Sequence, residues 1–147
     1  MAEGEDSRQL FCRVITPERM VFDGEAKLVK LRIADGDIGV MAEHQPVVST
    51  VAARDVQVVG EDDERSVFAV SDGFFKVSEN LVQVLVEEAV PAEEIDSDAA
   101  GNRVEEADKA LSELGGEDED ETRRRREELE RERRMGENLA RVAREYA

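Results

Sequence analysis

Tryptophan is absent from this chain of 147 residues, and cysteine, histidine and tyrosine each occur once. A single cysteine excludes an intramolecular disulfide, which suits a reducing compartment. Cys12 lies in an apolar, alternating stretch, where a small buried residue is the expected role. The lone histidine, His44, has no second histidine, cysteine pair or serine with a matching base around it. A zinc site or a catalytic triad needs several convergent groups, so no metal ligand and no catalytic residue is assigned. No Walker-type glycine-rich loop is present, so the chain is not expected to hydrolyse nucleotides. No apolar run approaches the ~20 residues that span a bilayer. The opening MAEGEDSRQLF lacks both a basic and an apolar region and does not read as a signal peptide.

Positive charge is scarce too. The 20 basic residues face 37 acidic ones, a formal charge of −17. That balance argues against nucleic acid, whose phosphates are bound by Lys and Arg that displace counterions. It equally disfavours an anionic membrane surface. Direct membrane insertion is therefore not expected, and membrane association would run through another protein. Aromatics make up only 4% of the chain, so a core must be built from Val, Leu, Ile and Ala.

What is present is short-period alternation. Leu10, Cys12 and Val14 alternate with Phe11, Arg13 and Ile15, and Leu28, Lys30 and Arg32 with Val29, Leu31 and Ile33. A period of two predicts strands with two different faces. Turns are expected at Thr16-Pro17-Glu18, Asp23-Gly24, Asp35-Gly36-Asp37, Gly60–Glu64, Ser71-Asp72-Gly73 and Glu79-Asn80. Nine or ten short strands at regular spacing predict an antiparallel β-sandwich over residues 9–91, after a flexible acidic arm at 1–8. Val29, Leu31, Ile33, Val70, Leu81 and Leu85, or their alternates, would fill its interior.

Beyond Pro91 the pattern changes to a helical hairpin over residues 92–147, making the chain mainly β with an α appendage. Ala100, Val104, Ala107, Leu111 and Leu114 recur at 4-3-4-3, one stripe of a helix. Asp96 or Ser97 could cap it. Asn102 with Glu105 could instead form a capping box, so that the helix begins or bends there. Gly115-Gly116 ends it. A second helix runs over Thr122–Tyr146, with acids at Glu117–Glu121 favoured by the helix dipole. Its stripe is Met135, Leu139, Val142 and Tyr146. The run Arg123–Arg126 is flanked by acids on both sides, and i,i+4 pairs such as Glu127–Arg131 and Glu130–Arg134 read as a solvated face. The shared core of this hairpin is thin. It should be mobile, or lie on the sandwich or on a partner.

Three motifs in order point to a family. Gly36-Asp37-Ile38-Gly39-Val40 leads into His44-Gln45-Pro46-Val47-Val48. Val14–Arg19 with Phe22–Glu25 precedes them, and Phe68–Phe74 follows, with Asp72 where the family has the first glycine of a Ser-Gly-Gly turn. Together they resemble the epsilon subunit of F-type ATP synthases, well over roughly residues 9–96 and in general character beyond. The resemblance implies a non-catalytic subunit of the central stalk, peripheral on the cytoplasmic side of the cell membrane. It would bind the gamma subunit and the c ring and couple rotation between that ring and the catalytic head. Its helical hairpin would contact the catalytic alpha and beta subunits and restrain ATP hydrolysis.

By the same resemblance Asp37, Glu43, His44 and Gln45 are rotor-facing contact residues. The residues alone read Asp37 as a turn acid and His44 as a loop histidine with a hydrogen bond. Glu43 stands where many members carry a small turn residue. No cofactor is expected. Regulatory ATP is the one candidate the resemblance raises, through Ile95 and Asp96 of an Ile-Asp-x-x-Arg-Ala motif. Ala99 replaces its arginine, which removes a bidentate phosphate donor and argues against nucleotide binding. Arg103, Arg141 and Arg144 are the residues that could substitute. A different class of function, an acidic adaptor whose tail captures a protein partner, fits the composition as well.

Overall fold

The computed structural model describes residues 9–116 and 119–146. The acidic arm expected at 1–8 lies outside them, as do Glu117 and Asp118 of the acidic run expected ahead of the second helix. Ten strands come first: β1 Leu10–Ile15, β2 Met20–Ala26, β3 Leu28–Ile33, β4 Gly36–Val40, β5 Val47–Val51, β6 Asp55–Val59, β7 Arg65–Val70, β8 Gly73–Ser78, β9 Leu81–Val86 and β10 Ala89–Pro91. A 3-10 turn at Ala92–Glu94 leads to helices α1, Ser97–Glu113, and α2, Asp120–Tyr146.

The strands form two five-stranded sheets, ordered β2-β1-β9-β8-β5 and β10-β7-β6-β3-β4. Every pairing is antiparallel except β1 with β9, which run parallel from Phe11↔Leu81 to Ile15↔Leu85. The sandwich expected from alternation is therefore present, with one parallel seam inside the first sheet. The chain changes sheets at Lys27, the single residue between β2 and β3, whose N–H donates to Val59 O at 2.8 Å.

Alternation decides which side chains meet. Leu10, Cys12, Val14, Phe75, Val77, Val82, Val84 and Val86 of the first sheet pack against Val29, Leu31, Val40, Val56, Val58, Phe68 and Val70 of the second. In β9 the inward set is Val82, Val84 and Val86, so Leu81 is half-buried and Leu85 is 44% exposed. Of the core residues expected from sequence, Val29, Leu31 and Val70 are buried, and Ile33 packs on the edge of the core. Phe22 and Phe68 meet edge to face, centroids 5.8 Å apart, and with the fully buried Phe75 they are the aromatics of a mainly aliphatic interior.

Two turns differ from expectation. β2 runs straight through Asp23-Gly24, with Gly24 opposite Cys12. The β3–β4 turn is Ala34-Asp35, so Asp37 belongs to a strand, opposite Arg32. In both cases the ladder's hydrogen bonds outweigh the turn preference of an Asp-Gly pair, as tertiary context does for strand propensity in general. Gly36, at φ 130°, supplies the conformation that returns the chain from that turn.

The helices lie on the outer face of the second sheet. Val67 and Ala69 of β7 join Ala92, Ala100, Met135, Leu139 and Val142 in a second apolar cluster. Burying each Val, Leu or Met contributes roughly 1.5–3 kcal/mol, enough to seat helices that are marginal alone. Asp96 caps α1, accepting from Ala99 N at 3.1 Å. The helix then continues unbroken through Gly101-Asn102, so the capping box at Asn102 is not used. Helix α2 begins at Asp120, two residues before the expected start. Tyr146, expected at the end of the apolar stripe, is 37% exposed, and its hydroxyl contacts Gln57 and Asp55 of β6.

Asn138 interrupts the α2 stripe and is 1% exposed. Its amide donates to Arg54 O and Val70 O, both at 2.9 Å, satisfying two carbonyls beneath the helix. Replacing it by leucine should destabilise the docked helix by about 1–3 kcal/mol, the cost of losing two hydrogen bonds at a buried site. Urea unfolding should show the loss, and circular dichroism should show the strands intact. Burial first, and then Asp23, push the Cys12 thiol up to about 12. Thiolate is the reacting species, so Cys12 should resist a disulfide reagent at pH 8 until the chain unfolds. Timed absorbance with and without denaturant checks this.

Candidate functional site

The outer face of the first sheet carries no helix. Register places Met20, Ile15, Leu85, Phe74 and Thr50 opposite one another across β2, β1, β9, β8 and β5. Cross-strand partners share a face, so these side chains form one row spanning the whole sheet. Phe74 is 58% exposed, Met20 46% and Leu85 44%, large apolar groups left in water on a strongly acidic chain. Phe74 stands between two shallow concavities of about 410 and 430 Å³. Ile15, Pro17 and Leu85 line the first, and Ala34, Thr50 and Ala52 the second. A contiguous apolar row on a soluble face marks a docking surface. It offers shape and mainly apolar contact, with Thr16, Asp72 and Glu87 at the margin of the concavities.

The expected rotor-facing residues divide into two places. Glu43, His44 and Gln45 occupy the β4–β5 loop, where Met41 is 61% exposed. Glu43 has φ 68°, the left-handed conformation that a small residue adopts more easily. Its backbone N–H donates to Asn80 Oδ1 at 2.7 Å, and Asn80 Nδ2 reaches back to Glu43 Oε2 at 3.4 Å. The loop thus keeps its turn without glycine because the β8–β9 turn holds it. Asn80, itself at φ 63°, was expected as a turn residue, the role of an Asn in a two-residue hairpin, but its contact with Glu43 was not. His44 N–H donates to Met41 O at 3.3 Å, and its Nδ1 lies 2.7 Å from Gln45 O, a donor position in the matching tautomer. Asp37 sits on β4 and is ion-paired to Arg32 at 2.7 Å with its carboxylate largely exposed.

The residues considered for nucleotide are each engaged within the chain or stand apart. Ile95 packs on the second apolar cluster, and Asp96 caps α1. Arg103 binds Glu88 at 2.7 Å and Glu132 at 3.0 Å. Arg141 donates to Asn138 Oδ1. Burial first, and then Arg54, hold the Arg141 guanidinium below its ordinary value. Arg144 is exposed in the last turn of α2. Among the described residues no group of His, Cys, Asp or Glu is placed to hold a metal ion. No helix there is long and apolar enough to cross a membrane.

Asp72 is a second residue whose part the sequence left open. Its Oδ1 accepts from Ala53 N at 3.1 Å, and its Oδ2 pairs with Arg134 at 3.1 Å. Arg134 therefore reaches the sandwich instead of Glu130, the partner expected along its own helix.

Comparisons with known proteins agree with this architecture. Residues 9–92 match the family described as ATP synthase, Delta/Epsilon chain, beta-sandwich domain. The ATP synthase epsilon chain of Rubrobacter xylanophilus is 58% identical over 141 residues, 96% of each chain. The sodium ion specific epsilon chain of Propionigenium modestum is 36% identical over 101 residues, covering 69% of this chain and 73% of that one. In fold, a chain of the Euglena gracilis mitochondrial ATP synthase (OSCP/F1/c-ring, rotational state 1) superposes with TM-score 0.70. It is 23% identical and covers 90% of this chain and 79% of that one. With the sandwich, the helical pair behind it and a relative matched along nearly its whole length, this chain belongs to the ATP synthase epsilon chain family, a non-catalytic subunit.

Proposed function

We propose that this chain works in the central stalk of an F-type ATP synthase, where it couples rotation between the c ring and the catalytic head. The observation that carries the reading is the uncovered apolar row Met20, Ile15, Leu85, Phe74 and Thr50 on a face that no part of the described chain covers. The gamma subunit is its partner in this reading. Phe74, standing between two concavities, is the natural anchor, since aromatic side chains seated in pockets dominate interface energies. The β4–β5 loop with Glu43, His44 and Gln45, together with Asp37 on the neighbouring strand, supplies polar contacts to the c ring. The helices act as a brake on ATP hydrolysis through the alpha and beta subunits when they leave the sandwich. The chain would then be peripheral to the membrane on its cytoplasmic side, held there by its partners. Regulatory ATP plays no part in this reading, because in-chain partners occupy the Arg103 and Arg141 guanidinium groups a phosphate would need, and Asp96 is engaged as the cap of α1.

The adaptor reading is less well supported. Its capture surface would be the apolar stripe of α2, and Met135, Leu139 and Val142 are already buried on β7 and its neighbours.

Phe74→Asp should leave the fold intact, because that side chain packs little within the chain. It should weaken binding to purified gamma at least about tenfold, the equivalent of roughly 1.4 kcal/mol, in isothermal titration calorimetry. Unchanged affinity would remove the sheet face from the interface. Deleting residues 92–147 should leave residues 1–91 folded and able to bind gamma, while ATP hydrolysis by the reassembled enzyme rises. Hydrolysis that stays level would deny the helices a braking role.

A further inference from the structure

Both parts of the chain repel each other at long range. Residues 9–91 carry 15 acidic and 8 basic side chains, and residues 92–147 carry 19 and 11. The helices nonetheless lie on the sandwich. Apolar contact and Asn138 account for the half of α2 that touches β7. Of α1 only Ala100 joins the second apolar cluster, and Ala107 is the other residue buried within the helix, so apolar contact ties α1 to the sandwich at a single residue.

Positive charge is placed at two points where the parts meet. Arg103 of α1 donates from Nη1 to Glu88 at 2.7 Å and from Nη2 to its other oxygen at 3.1 Å. Glu88 lies between β9 and β10. The same Nη2 donates to both carboxylate oxygens of Glu132 on α2, at 3.2 and 3.0 Å. One guanidinium thus joins the sandwich, α1 and α2, with its side chain 26% exposed. The second point is Arg134 of α2 with Asp72, the residue standing where the family pattern has glycine. Asp72 Oδ1 accepts from Ala53 N, which leaves Oδ2 directed at Arg134. Asp72, Glu88, Glu132 and Arg134 line one cleft of about 140 Å³ between helix and sandwich.

We infer that Asp72–Arg134 and Glu88–Arg103–Glu132 form a two-point ionic latch that holds the helices against the sandwich by the chain's own charges. The docked arrangement then needs no bound small molecule to neutralise the helix arginines. The carboxylates at the seam fill that role. Bidentate guanidinium–carboxylate pairs supply geometry as well as attraction, so the latch also sets where α1 lies. This inference adds a holding device to the proposed release of the helices and rests on that reading for its biological use, though the latch itself is a property of the free chain.

Amide hydrogen exchange on the full, free chain tests it. Asp72→Asn keeps the acceptor for Ala53 N–H and removes the charge. That variant and Arg134→Gln should each speed exchange over residues 135–142 about two- to fivefold, the range for partly exposed pairs. Combining them should add little beyond either alone, because both break one bridge. Glu88→Gln should do the same to α1. The β1 and β8 amides should not change. In 1 M salt, where the screening length is about 3 Å, variant and parent should converge. Tyr146 gives a second readout, since burial first, and then Asp55, raise its phenol in the docked state. It is the only tyrosine, so its absorbance titration should fall back toward the ordinary value in the double variant Asp72→Asn/Glu88→Gln. Unchanged exchange in the single variants, summed effects in the Asp72/Arg134 pair, or equal loosening of the strands would overturn the latch. Each outcome is independent of the hydrolysis assay, so either idea can fail alone.

Discussion

The constraint on which this structure depends is that a sheet has two faces and the sandwich core covers only one. β7 shows it most plainly. Phe68 and Val70 point into the sandwich, while Val67 and Ala69 point out, and all four are buried. An apolar outer face cannot be left in water without cost, at roughly 25 cal/mol per Å² exposed. On the second sheet the chain resolves this itself, by laying α2 across β7 and tying it down through Asn138, which donates to Arg54 O and Val70 O. On the first sheet it leaves Phe74, Leu85 and Met20 outside. The two outer faces are therefore unequal: one is covered by the helices, and among the described residues no element covers the other.

That asymmetry explains what the sequence made legible and what it hid. Period-two alternation marks strands well, and Val29, Leu31 and Val70 could be placed inside from it. It cannot say which parity faces inward where both parities are apolar. In β9, Leu81 and Leu85 alternate with Val82, Val84 and Val86, and the smaller valines turned inward. Of the larger leucines, Leu81 is half-buried and Leu85 lies outside, in the exposed row with Phe74. A four-residue apolar run such as Val67–Val70 signals a strand buried on both sides, which is itself a pointer to a covering element. The helices were visible as helices, yet their resting place was open among several, because a thin stripe fits any apolar surface.

The site residues were readable where chemistry is local and hidden where it is long-range. Asp96 as a cap and the β4–β5 loop as a turn follow from neighbours in sequence. Asp72 and Asn80 act on residues 62 and 37 positions away, at Arg134 and Glu43. The pairings were marked in sequence by departures: an acid in place of a glycine at Asp72, and a glutamate at Glu43 in a loop that favours a small residue. Each departure is matched by a partner elsewhere. Glu43 is supported in its left-handed conformation by the Asn80 side chain, and Asp72 is turned toward a helix by Ala53 N–H. Departures from a family pattern are therefore informative when read as half of a pair.

Gly136 shows how the two helices become one mechanical unit. A Cβ at that position would come within 2.9 Å of Val104 Cγ2, 3.1 Å of Ala100 O and 3.2 Å of Arg103 Cβ. Glycine inside a helix costs about 1 kcal/mol relative to alanine, so its use here is explained by the close crossing it permits. That crossing lies beside Arg103, the residue that reaches Glu88 on the sandwich. It also lies one residue from Met135 and two from Asn138, which anchor α2. Anything that shifts α2 along the sheet must move Arg103 with it, because Ala100 and Val104 are packed against the glycine. The weakly packed outer part of the hairpin, with Ala107 and Leu129 as its buried residues, then follows the inner part. The helices are thus expected to leave or rejoin the sandwich together, with the glycine crossing as the point that couples them.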